Sequence, residues 1–196
     1  MVARGCRSNR VRFSRTFTAA MIEVLRIKDL TERRVLGFDL HDLLELVGEE
    51  GPRLHWAAVP MGESTFITGN GGPRDEEAFE LAERVDDSGV CIPLDWHDLV
   101  DLSSSILQTI WGTFVGLRNG ADLADVPSLF LDPWHYVDRA NARFYETVDL
   151  AFQAVDSSFW LVWAKEDAVR ERIRGAFEDV ETIPGMTRYE PKAAGS

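Results

Sequence analysis

Hydrophobic and polar positions along this chain alternate between a period of two and a period near 3.6, and the switches predict its elements. Ile22 to Ile27 reads as a strand. Asp39 to Val47 reads as a short helix, because Leu40, Leu43, Leu44 and Val47 fall on one face. Leu54 to Val59 and Ser64 to Thr68 read as strands, and the short Pro60-Met61-Gly62-Glu63 link between them predicts a hairpin. Asp75 to Val85 is a helix with Ala78, Phe79, Leu81, Ala82 and Val85 as its apolar side and acids in its first turn, where the helix dipole favours them.

The best helical pattern runs from Trp96 to about Leu117, with Leu99, Leu102 or Ser103, Ile106, Ile110 and Phe114 at helical spacing. Thr147 to Val155 alternates as a half-buried strand, Asp156-Ser157-Ser158 supplies turn chemistry, and Phe159 to Ala164 completes a second hairpin. A last helix runs from Glu166 to about Val180, with Val169, Ile173, Ala176 or Phe177, and Val180 inward. The expected class is α+β: a mixed, largely antiparallel sheet with β-hairpins, packed by three to five helices as a single pair of layers. Residues 21–188 form the domain, residues 1–20 a disordered basic arm or over-extended start, and residues 189–196 a loose tail.

One helix start occurs twice. Phe38-Asp39-Leu40-His41-Asp42-Leu43-Leu44-Glu45-Leu46 echoes Leu94-Asp95-Trp96-His97-Asp98-Leu99-Val100-Asp101-Leu102. An Asp at the N-cap accepts the free amide hydrogens of the first turn, and the Asp three residues later adds negative charge at the positive helix end. Asp132-Pro133-Trp134-His135 is a third such start, with Asp as cap and Pro at the first helical position. Three of the four histidines thus fall in first turns. Capping and surface exposure account for them. The sharper reading has His41, His97 and His135 converge with Asp42, Asp98 or Asp138 as a metal site or acid–base cluster. Same-helix HExxH spacing is absent, which weighs against a metal.

Charge changes the picture more than composition does. The 196 residues carry a formal charge of −12, yet residues 1–20 hold Arg4, Arg7, Arg10, Arg12 and Arg15 and no acid. Without those five, 16 basic residues face 33 acidic ones, a formal −17. Such a field repels phosphate and lacks the Lys/Arg stripe that nucleic acid requires, so a basic protein is the natural partner. Solubility alone also explains an acidic surface. No apolar run reaches the ~18 residues of a membrane helix. Cys6 and Cys91 form neither a CxxC motif nor a disulfide framework, and a cytoplasmic location fits best.

Other candidate chemistry is incomplete. The loop Thr68-Gly69-Asn70-Gly71-Gly72-Pro73 has no Lys-Ser/Thr, and Asp75, Glu76 and Glu77 stand where a phosphate would sit. Ser103, Ser104 and Ser105 lack a nucleophile elbow or SxxK pattern. Cys91 lies in an apolar run that predicts a buried, inert thiol. Adjacent acids such as Asp86-Asp87 and Glu49-Glu50 suit exposed turns better than a glycosidase pair. Phe159, Trp160 and Trp163, with Trp111, suit core packing better than a ligand box.

No cofactor motif and no complete catalytic motif is present. The reading that follows is an acidic protein-binding module, of inhibitor or immunity type, for a basic partner such as a nuclease toxin. The alternative is a small hydrolase-like enzyme using His41, His97, His135 and Asp98. A third reading is a homo-oligomer joined through Phe159 to Trp163 as an exposed sheet edge.

Overall fold

The computed structural model describes residues 23–32, 36–60, 65–68, 74–118 and 147–184, together with Leu123, Val126, Phe144 and Tyr145. Its elements run β1 (Glu23–Ile27), α1 (Leu40–Val47), a 3-10 turn (Gly48–Arg53), β2 (His55–Val59), β3 (Thr65–Thr68), α2 (Asp75–Ser88) and β4 (Ile92–Leu94). They continue through α3 (Trp96–Ser103), β5 (Ile106–Leu117), β6 (Leu150–Val155), β7 (Phe159–Ala164), α4 (Asp167–Ala176) and β8 (Val180–Pro184).

The strands form one sheet in the order β4-β2-β5-β6-β7-β1-β8, with β3 also on β5. Every pairing is antiparallel. This is the α+β class that the alternating pattern predicts. The four described helices all contribute to the core on one face of the sheet, where Leu43, Leu81, Leu99 and Ile173 meet Trp56, Phe114, Phe152 and Trp160. Each such side chain contributes about 1.5–3 kcal/mol by leaving water. A second cluster on the opposite face joins Val59, Val115, Leu117 and Val148 to Val126 and Phe144.

The long helix expected from Trp96 to Leu117 is instead two elements. Helix α3 stops at Ser103, and Ile106 to Leu117 is the central strand of the sheet. Positions 106, 110 and 114 are four apart, a spacing that suits one face of a helix and one face of a strand equally. What decides is local chemistry. Ser103-Ser104-Ser105 interrupts the helix, and Ile106, Thr109, Ile110, Thr113 and Val115 are β-branched, with Gly112 and Gly116 among them.

The final helix is also shorter than its pattern. It ends at Ala176, and Val180 opens β8, which pairs with β1 along Glu23 to Ile27. The Asp29 carboxylate fixes the reversal by accepting the amides of Glu178 and Asp179, each at 3.1 Å.

β2 and β3 do not form the expected hairpin. Both run antiparallel to successive stretches of β5, so they share one direction. The β6–β7 hairpin is present, turned by Asp156 and Ser157, both at positive φ near 50°. β7 is no sheet edge. It lies between β6 and β1, and Trp160 is fully buried, which removes the proposed edge-to-edge oligomer contact. Trp163 is half-buried, donating to the Val148 carbonyl at 3.1 Å and meeting Tyr145 edge-on.

Gly51 is the most closely approached of the described glycines. A Cβ there would stand 2.3 Å from Trp96 Cη2, while the Gly51 carbonyl accepts the Trp56 indole N–H at 2.8 Å. Gly51→Ala is expected to cost about 1–3 kcal/mol by forcing the Trp96 ring to move. Gly175→Ala meets open space near the end of α4 and is expected to change stability in the opposite sense, by up to about 1 kcal/mol. Urea midpoints check both, and equal signs would contradict this packing.

Candidate functional site

The first helix start is a buried latch. Asp39, at 7% exposure, caps α1 by accepting the Leu40 amide at 2.6 Å, while its own amide donates to Asp42 Oδ2 at 2.8 Å as a capping box. The same carboxylate reaches β5. Thr109 N–H donates to Oδ2 and the Thr109 hydroxyl to Oδ1, both at 2.6 Å, across 70 residues of sequence. β5 is free to supply these donors because its pairing with β3 is irregular on both sides of Phe66–Ile67. At the other end of α1, Arg172 of α4 donates to the Leu46 and Val47 carbonyls at 2.9 and 2.7 Å. Both ends of the helix are thereby fixed to other elements.

Burial pushes the Asp39 carboxyl above its ordinary range, against the lowering effect of hydrogen bonds from Thr109 and Leu40. The folded state therefore holds this proton more tightly than the unfolded state does. That contribution to stability is full below the unfolded carboxylate pKa and is lost as pH rises through the folded value.

His41 and Ser103 meet where α1 begins and α3 ends, with His41 Nδ1 3.0 Å from Ser103 Oγ. Ser103 Oγ also lies 2.7 Å from the Val100 carbonyl, to which its single proton is given; the His41 ring N–H then donates to Ser103. His41 Nε2 faces Glu45 at 3.6 Å. A cleft of about 270 Å³ opens above this pair, lined also by Phe38, Asp42, Ser104 and Leu107. Ser103 itself is only 1% exposed. Its hydroxyl supports a helix–helix tie and is enclosed against attack on a substrate carbonyl.

The other histidines are placed differently. His97 is exposed in the first turn of α3, at the opposite end of that helix from Ser103. The Asp98 carboxylate beside it faces Arg74 Nη1 as an ion pair at 3.6 Å, the Asp98 carbonyl accepts from the same nitrogen at 3.5 Å, and Asp95 caps the helix by accepting the His97 amide at 2.8 Å. His135 and Asp138 lie outside the described residues, as do Gly69 to Pro73 and Cys6. Among the described residues no group of three His, Cys, Asp or Glu could hold a metal ion. Burial pushes the Cys91 thiol up to about 12, so thiolate is scarce at neutral pH.

The acids assemble more clearly than the histidines. Helix α2 carries seven acids in 14 residues, and Ala78, Leu81, Ala82 and Val85 hold its other side in the core. Glu76, Glu80, Glu83 and Asp87 form an exposed stripe at helical spacing, with Phe79 beside them 53% exposed. Arg74 joins this stripe to α3, bonding Glu77 and facing Asp98, so exposed Asp95, Asp98 and Asp101 extend it. Sequence reading found the acidic excess but not this face. Its signal was present in the spacing of Glu76, Glu80, Glu83 and Asp87, opposite an apolar side.

Asp39→Asn tests the latch. No orientation of an amide serves all three donors, because its NH2 must face either the Thr109 amide or the Leu40 amide and Thr109 hydroxyl together. The substitution is expected to cost about 1–3 kcal/mol at neutral pH. In urea melts, the gap between wild type and variant should widen on acidification, since the variant lacks the proton uptake of Asp39. A gap that closes would contradict the raised carboxyl.

No family model matches the chain, and no curated protein or solved structure matches it.

Proposed function

We propose that this chain is an acidic protein-binding module that docks a basic partner on the face formed by α2 and α3. The carrying observation is the exposed stripe of Glu76, Glu80, Glu83 and Asp87 on α2, with exposed Phe79 on the same helix and exposed Asp95, Asp98 and Asp101 at the neighbouring α3. Acids on a rim steer a cationic surface and reject phosphate, while an apolar ring supplies an anchor that charge alone lacks. An inhibitor or immunity-type role follows from the same chemistry. A protein that acts on nucleic acid, such as a nuclease toxin, presents a basic surface to its substrate, and an acidic cover competes for that surface.

The hydrolase-like reading has one favouring observation, the 3.0 Å contact of His41 with Ser103 beside a cleft. It is the weaker of the two, because the hydroxyl is enclosed and His97 stands at the far end of α3.

The docking face is tested by capture from host extract with wild type, with Glu76→Lys/Glu80→Lys/Glu83→Lys, and with Glu178→Lys as an exposed control. A genuine partner should be retained by the wild type and the control. It should be weakened at least about tenfold by the triple reversal and by high salt. Equal capture by all three proteins would sink the proposal.

A further inference from the structure

We propose that the arginine-rich residues 1–20 are themselves an occupant of the α2 stripe, competing within the chain for the face that a basic partner uses. The inference rests on the docking-face reading and adds a means of regulating it. Its first support is charge left unanswered on α2. Several other acids on the helical layer meet arginines: Glu49 and Glu50 face Arg53, Asp167 meets Arg170, and Glu171 meets Arg174. Glu76, Glu80, Glu83 and Asp87 have no such partner among the described residues.

The second support is complementarity. Residues 1–20 supply Arg4, Arg7, Arg10, Arg12 and Arg15 without an acid, with Phe13 between Arg12 and Arg15 and Phe17 just after them. Cations with interleaved rings match a carboxylate stripe that carries an exposed phenyl group at Phe79.

Reach is the third support. The basic segment joins the sheet at β1, three strand positions from β5, or about 14 Å at the usual strand spacing. Helix α2 packs against β3 and β5. A stretch of 22 residues can span up to about 70 Å, so the tether does not prevent contact. A competitor held in the same chain acts at an effective concentration on the order of millimolar. A weakly basic protein is then excluded, while a partner with a larger cationic surface displaces the segment.

The test keeps the chain at full length and replaces Arg4, Arg7, Arg10, Arg12 and Arg15 by Gln. Amide spectra of the two proteins should differ over Asp75 to Ser88 at low salt, and the difference should vanish at high salt. A synthetic decalysine peptide should shift the same amides in both proteins, with about tenfold less peptide needed for the five-Gln variant. Unmoved α2 amides between the two proteins would overturn the intrachain contact, even if decalysine binds α2. Failure of decalysine to shift α2 in the five-Gln variant would instead sink the docking face itself.

Discussion

The Asp39 carboxylate is the interaction on which the helical layer depends. It accepts from Leu40, from the Thr109 amide and from the Thr109 hydroxyl, and so ties the start of α1 to the central strand. Burying a carboxylate is costly, and such a group persists in a core only when donors surround it. Here the donors come from two elements distant in sequence. The same bonds that satisfy the charge therefore fix the angle at which α1 enters the sheet.

From that point the layer is built by successive contacts. α1 presents His41 to Ser103 and so holds the end of α3, while Arg172 ties α4 to the other end of α1. Arg74 then bridges α2 to α3 through Glu77 and Asp98. Surface ion pairs such as the last contribute little individually, commonly below about 1 kcal/mol. Their effect here is positional, because the apolar sides of both helices already hold them in the core. The outcome is an outward face of acids on helices whose apolar sides are held in the core, which is the face proposed to meet a partner.

Sequence made some of this legible. Period-two alternation located β6, the apolar aromatic run after Asp156-Ser157-Ser158 located β7, and the caps Asp39 and Asp95 were readable from residue type and from the acids that follow them. It failed where one spacing served two structures: Ile106, Ile110 and Phe114 fit a helix, and the serine break with the β-branched run had to outweigh them. It also failed for pairing. A short link suggested a hairpin of β2 and β3, whereas each found a separate stretch of β5. The two echoed caps show the same boundary for the site. Asp39 and Asp95 look alike over nine positions, yet one is buried against Thr109 and the other exposed, a difference set by partners far along the chain.

The central functional claim is that the α2–α3 face meets the partner, and carboxyl footprinting reads that face directly. Side-chain acids are labelled in the free protein and in its complex, and the protected positions are located by mass spectrometry. Protection of Glu76, Glu80, Glu83 and Asp98, with Glu178 and Glu181 still labelled, is the expected result. Protection at Glu178 and Glu181 beside the β8 edge, with α2 fully labelled in the complex, would contradict it.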